Sequence, residues 1–313
     1  MVMLDQRDRT TQEIDERPRR LIGISLLPAA ATLGNLICGF LAIFCCLLAV
    51  RAEFGGAAYV FHPRWEQLFP THIAAGAYLI ILAMVFDALD GRLARMTRRT
   101  SEFGAQLDSI SDIVSFGVAP AALFVALLLR SPIGVDAEPP DVSRLQLRVG
   151  ILCALVYLSC AAIRLARYNV ENVKSEEAQH AFSGLPSPGA AAVLVALLAL
   201  HEELRQSGFT GWGVDWANVS RWCLAVTAFG VGLLMVSRFD YVHVFNLYFR
   251  RKHPPTHLVW LIVIIGLGWY SFELLLVALA GAYLFSGLVL GLIRRRSRAE
   301  LPTSAHSPHS RDN

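Results

Sequence analysis

Four aspartates, Asp87, Asp90, Asp108 and Asp112, stand in one otherwise apolar neighbourhood, FDALDGRLARMTRRTSEFGAQLDSISDIVSFG. A carboxylate on a membrane-type segment is costly, so it marks function by default. At about 100° per residue, Asp87, Asp90, Gly91 and Ala94 share roughly a quarter to a third of a helix's circumference. The same spacing places Gly104, Asp108, Ser111, Asp112 and Ser115 on one stripe of the next helix. A short basic connector separates the two, and if it turns the chain back the acidic stripes face each other. Carboxylates that close repel one another unless cations lie between them. All-oxygen ligands suit hard divalent ions such as Mg²⁺ or Mn²⁺, and a pair of ions can clamp the entering and leaving oxygens of a phosphoryl-type displacement. Small residues on the same faces, Gly91, Ala94 and Gly104, let a ligand approach the backbone, and Arg95 is spaced to meet phosphate oxygens. Two other readings compete: acids merely solvated at the end of a span, and a proton or cation pathway through a transporter. Four acids in two matched stripes weigh against the first. Against the second, transporters often carry two related halves, and this chain has no second copy of the acidic stretch.

The elements that must hold these stripes are membrane spans. Hydrophobic residues make up 55% of the 313 and charged residues 17%, and the mean hydropathy is +0.48, too apolar for a soluble domain of this size. The apolar residues cluster in runs at Leu33–Val50, Ile73–Phe86, Val114–Leu129, Val149–Ala162, Ala190–Leu200, Cys223–Val236, Leu258–Trp269 and Leu274–Ile293. A span needs roughly 20 mostly apolar residues, which several runs reach only with their polar ends included. The expectation is an all-α polytopic membrane protein of about eight transmembrane helices. Residues 1–20, rich in both charges, read as a disordered cytoplasmic arm, residues 21–293 as the transmembrane catalytic domain, and residues 294–313 as a disordered basic and polar tail. With eight spans, the loops on the side of both termini hold Arg92, Arg95, Arg98, Arg99, Arg164, Arg167, Lys174, Arg238 and the basic groups at Arg250–Lys252 and Arg294–Arg298. The opposite loops hold fewer, namely Arg51, Arg64, Arg130, Arg144, Arg148, Arg205 and Arg221. Positively charged loops stay cytoplasmic, so both termini and the acidic site are expected there.

Written as Asp87-x-x-Asp90-Gly91-x-x-Ala94-Arg95, then eight residues, then Gly104-x-x-x-Asp108-x-x-x-Asp112, the stretch resembles the signature of the CDP-alcohol phosphatidyltransferase family at every defining position. The resemblance implies a membrane enzyme that displaces CMP from a CDP-linked donor by attack of an alcohol at a two-metal site. Carried over residue by residue, it implies that Asp87, Asp90, Asp108 and Asp112 hold the ions, that Asp112 is also the general base, and that Asp90, Gly91, Ala94, Arg95 and Gly104 shape the CDP site. The blocks SDIVSFGVAPAA (111–122), IRLARYNV (163–170), FSGLPSPGAAA (182–192), MVSRFDY (235–241) and LPAAATLGNLICGFLAI in the first span resemble the phosphatidylserine synthase branch. Ala29 departs from it, since many relatives carry Asn after the proline. That branch implies CDP-diacylglycerol and L-serine as substrates, Mg²⁺ or Mn²⁺ as cofactor, a bacterial-type cytoplasmic membrane and a possible homodimer. No nucleic-acid partner is expected.

In the implied reaction Asp112 takes the hydroxyl proton, the serine oxygen attacks the β-phosphorus of the donor, and CMP leaves. Arg164 and Arg167, one helical turn apart, are candidates for a phosphate or the serine carboxylate; the alternative is an interfacial anchor. Asn35, a polar residue inside the first span, is a candidate for contact with the acceptor or with a neighbouring helix. Gly184–Gly189 (GLPSPG) reads first as a helix start, since Pro and Ser suit the opening turn. The six cysteines, in or beside spans and without CxxC spacing, read as small hydrophobes, and His180, His243, His253 and His257 as interfacial. Other acceptors (glycerol 3-phosphate, inositol phosphate, choline), a membrane prenyltransferase and an ion-coupled transporter are the competing functions. The prenyltransferase arranges its acid pairs differently.

Overall fold

The structure is a computed structural model that describes residues 20–55, 69–97, 102–130, 141–172, 184–208, 216–237, 266, 268 and 271–299. These form α1 (Arg20–Glu53), α2 (His72–Thr97), α3 (Glu102–Asp112), a π-helical segment (Ile113–Val118), α4 (Ala119–Leu129), α5 (Asp141–Asn172), α6 (Ser187–Ser207), α7 (Trp216–Val236) and α8 (Phe272–Ala299). Among the described residues there is no strand, as an all-α chain requires.

Six helical stretches are long and apolar enough to cross a bilayer: Pro28–Glu53, His72–Met96, Phe103–Leu129, Arg144–Val170, Ser187–Ser207 and Trp216–Val236. They coincide with the first six apolar runs. The eighth run lies in α8, whose apolar part is Phe272–Gly287. The seventh falls almost wholly outside the described residues, among which six spans, not eight, are found. Residues 1–19 of the expected arm, Lys174, Arg238, Arg250–Lys252 and the four singled-out histidines also lie outside them, whereas Arg20, the arm's last residue, opens α1. Helix α8 continues past Arg294, where the tail was expected to begin.

The interior is built from small residues, among them Cys38, Ala42, Ala49, Ala77 and Ala83, as expected where helix backbones must approach closely without a water-driven force. Leu33, Ile37, Phe40, Phe44 and Leu47 run along the exposed face of α1 at helical spacing, the arrangement suited to a hydrocarbon solvent. Two glycines set the packing of α1. A Cβ at Gly34 would stand 2.9 Å from the Phe86 ring of α2, and one at Gly39 would meet Ser115, whose Cα is 2.9 Å away. A third, Gly184, has φ 107°, and a Cβ there would come within 2.5 Å of the Met235 carbonyl oxygen. Only glycine satisfies both conditions. The neighbouring Leu185 N–H donates to the Leu234 carbonyl at 3.1 Å, fixing the start of α6 on the end of α7.

Candidate active site

α2 brings Asp87 and Asp90 to its C-terminal part, and α3 opens with Gly104 and Asp108. α2 and α3 do bring the acids together: one carboxylate oxygen from each of Asp87, Asp90 and Asp108 lies within 4.8 Å of the other two. Asp90 is buried, with 6% of its surface exposed, and the other two are half-buried. Oδ2 of Asp90 and Oδ1 of Asp108 are buried with no hydrogen-bond partner among the described residues. Unpaired buried carboxylate oxygens are expensive, and three acids converging with spare lone pairs fit a hard divalent cation. Asp112 stands outside this group of three, although Asp87, Asp108 and Asp90 are all within its electrostatic reach.

Asp112 is held by α1. Asn35 is fully buried and its Nδ2 donates to Asp112 Oδ1 at 3.2 Å, leaving its own Oδ1 buried and unpaired. Of the two roles open to Asn35 in the sequence, the neighbouring-helix contact is therefore made. The Ser111 hydroxyl donates to the Thr32 carbonyl (3.1 Å) and the Ser115 hydroxyl to the Asn35 carbonyl (2.9 Å), stitching α1 to the strip that carries Asp108 and Asp112. Immediately after Asp112 the helix widens into the π-helical segment, a feature frequent at functional sites. The Tyr157 hydroxyl of α5 donates to its Phe116 carbonyl at 2.7 Å, so the widened turn does not leave that buried oxygen unpaired.

Sequence reasoning missed Thr32, whose hydroxyl donates to the Pro28 carbonyl (3.0 Å) and lies within hydrogen-bonding reach of Asp90. Its spacing of three from Asn35 puts both on one helical face, the signal that would have found it. Around the rim, Gly91 and Arg95 are exposed, while Ala94 and Gly104 are half-buried. A Cβ on Gly91 would meet nothing within 4 Å, so open space lies beside Asp90.

The two candidate arginines of α5 part company. Arg164 is half-buried, donates from Nη1 to Ser187 Oγ at 2.9 Å, and lies within electrostatic reach of Asp112. Arg167 is exposed. Asn169, in the same run, accepts from the Ser109 hydroxyl at 3.2 Å and so ties α5 to α3 beside Asp108. Ser187 begins α6 as the GLPSPG motif suggested, and it additionally anchors Arg164. All six cysteines are free thiols and all but Cys223 are buried, in keeping with a packing role.

The profile of the CDP-alcohol phosphatidyltransferase family matches residues 25–234, which take in α2 to α6 and nearly all of α1 and α7. The chain belongs to the CDP-alcohol phosphatidyltransferase family. Several bacterial and archaeal proteins named CDP-diacylglycerol--serine O-phosphatidyltransferase are similar to it. That of Mycobacterium tuberculosis is 32% identical over 71% of this chain and 62% of its own length. That of Methanocaldococcus jannaschii is 40% identical over 39% of this chain and 49% of its own. That of Bacillus subtilis is 29% identical over 75% of this chain and 97% of its own. The chain thus spans less than two thirds of the mycobacterial relatives it matches. In this family member the matched region ends before α8, which is nonetheless packed on α6.

Proposed function

We propose that this protein is a phosphatidylserine synthase that transfers the phosphatidyl group of CDP-diacylglycerol to L-serine and releases CMP. The observation that carries the reading is the convergence of Asp87, Asp90 and Asp108 with buried, unpaired oxygens in a family member whose relatives bear that enzyme's name. Those three side chains would hold divalent metal, Mg²⁺ or Mn²⁺, with Asp112 adjoining a second ion. Bound there, the metal would supply Lewis-acid stabilisation of phosphate charge.

The chain's own residues do the rest. Asp112 is the general base, and the Asn35 amide fixes one of its carboxylate oxygens so that the other is available to the serine hydroxyl. As that proton moves to Asp112, the serine oxygen forms a bond to the β-phosphorus. The bond to the CMP oxygen breaks, and its electron pair leaves with CMP. Proton transfer of this kind contributes about two to four orders of magnitude. Gly91, Ala94, Arg95 and Gly104 border the nucleotide, the open space at Gly91 giving it access to the backbone. Arg164, at the end of α5 facing Asp112, receives the serine carboxylate, and Arg167 serves the rim. CDP-diacylglycerol enters sideways with its acyl chains in lipid. The site and both termini lie on the cytoplasmic side of the inner membrane, a reading supported by the basic residues near the acidic end, and the chain is a bundle of eight spans that pairs as a homodimer.

The test is CMP release by purified protein in mixed micelles of CDP-diacylglycerol with Mn²⁺ or Mg²⁺, offering serine, glycerol 3-phosphate, inositol phosphate and choline separately. Release with serine alone, abolished by chelation, is expected. Release with another acceptor would discard serine and keep the family chemistry. Asp112→Asn should abolish turnover while CDP-diacylglycerol still binds; an active variant would remove Asp112 from the role of base.

A further inference from the structure

Helix α8 lies beyond the family-matched residues, yet its Tyr283 reaches the first turn of α6. A Cβ at Gly189 would stand 2.6 Å from Tyr283 Cε1 and 3.3 Å from its hydroxyl oxygen, so the ring sits directly against that turn. The same turn supplies Ser187, the acceptor of the Arg164 Nη1 hydrogen bond. Arg164 is within electrostatic reach of both Tyr283 and Asp112, and its Nε is buried with no hydrogen-bond partner among the described residues. One arm of the guanidinium is tied down, and one buried N–H is left to spend. A long arginine side chain carries about 2 kcal/mol of rotamer entropy, and a single hydrogen bond to Ser187 holds it only at one nitrogen.

We propose that Tyr283 is a positioning residue for the acceptor side of the site. Seated on Gly189, its ring confines Arg164 against Ser187, so that the unpaired Nε–H stays directed at the anionic group of the acceptor beside Asp112. This rests on the reading of Arg164 as the acceptor's arginine. It makes α8, from outside the family-matched region, part of the substrate site rather than an accessory span. It also explains why residue 189 has no side chain: any Cβ there would push the ring off the turn.

The experiment compares full-length wild type, Tyr283→Ala, Tyr283→Phe, Gly189→Ala and the double variant Gly189→Ala/Tyr283→Ala. CMP release is measured against varied serine and against varied CDP-diacylglycerol, and serine binding to CDP-diacylglycerol-loaded protein by calorimetry. Tyr283→Ala should raise the serine KM and Kd about tenfold, about 1.4 kcal/mol, with the CDP-diacylglycerol KM unchanged. Tyr283→Phe, which keeps the ring, should stay within about twofold of wild type on the same scale. Gly189→Ala should resemble Tyr283→Ala, and the double variant should be no worse than either single one, since a methyl at 189 costs nothing once the ring is gone. The inference is overturned by an unchanged serine KM in both Tyr283→Ala and Gly189→Ala. It is equally overturned if kcat and both KM values deteriorate together in step with a lowered melting temperature, the pattern of a packing residue. Wild type that uses another acceptor refutes serine alone, and the same comparison is then made with that acceptor. Wild type that binds none of them refutes both readings.

Discussion

The two ends of this helical bundle handle buried charge in opposite ways. At one end Asp87, Asp90 and Asp108 gather like charges with unpaired oxygens. At the other, Arg130 Nη1 donates to both carboxylate oxygens of Glu202 at 2.9 Å, its Nε lies 4.0 Å from Glu53, and its carbonyl accepts from Arg221 Nη2 at 2.9 Å. Asn35 and Glu53 mark the two levels on α1, and at 1.5 Å per residue they are separated by about 27 Å, close to the thickness of a bilayer's hydrocarbon core. Glu202 and His201 are almost fully buried; both oxygens of Glu202 are met by Arg130, while His201 meets Ser220 through Nδ1 and its Nε2 has no partner among the described residues. Opposite charges that satisfy each other join α1, the α3–α4 span and α6, and Arg221 ties in α7 through the Arg130 carbonyl. Like charges that do not satisfy each other ask for something from outside the chain.

Removing a single carboxylate at each end should break the protein in different ways. Asp90→Asn deletes a ligand and a repulsive charge together. Turnover should fall at least about a thousandfold, the scale of several kcal/mol of lost charge stabilisation, while the melting temperature in detergent without metal stays level or rises. A variant that keeps its turnover, or one that melts markedly lower, would erase the distinction between the two ends.

Glu202→Gln should do the reverse and somewhat less. It leaves Arg130, with 18% of its side chain exposed, facing only the more distant Glu53. Loss of a buried partner costs roughly 3 kcal/mol, read as a lower unfolding temperature with CMP release per folded molecule unchanged. If turnover collapsed while stability held, the paired end would have to be reassigned as a second functional centre.

How much of this was legible in sequence follows the same division. The four aspartates announced themselves because an acid on an apolar helix is rare and their spacings of three and four put them on shared faces. That α3 brings Asp108 to Asp87 had to be assumed from sequence, and the structure shows the two carboxylates together. The paired end was invisible. Arg130, Arg205 and Arg221 were assigned to loops on topological grounds, since nothing in a charge count says that an arginine at the end of one span meets a glutamate at the end of another. Asn35 was recognisable as an anomaly in a span but not as the partner of a residue 77 positions away. Tyr283 had no signal at all, because a tyrosine in an apolar run is ordinary and its importance lies in an α6 turn with a glycine where the ring must sit.

The smallest effect tests whether empty space differs between the ends as charge does. At Gly150 on α5, toward the paired end, a Cβ would run into the Leu128 side chain, whereas at Gly91 it would meet nothing within 4 Å. Helix propensity alone makes Gly→Ala worth about 1 kcal/mol of stability in a helix interior. Gly91→Ala should therefore raise the melting temperature slightly. If the space beside Asp90 is there for the nucleotide, the same methyl should increase the KM for CDP-diacylglycerol several-fold without changing the KM for serine. A variant that is stabilised with both KM values unchanged would mean that the gap at Gly91 is ordinary exposed surface and that the nucleotide lies on the other side of the aspartates.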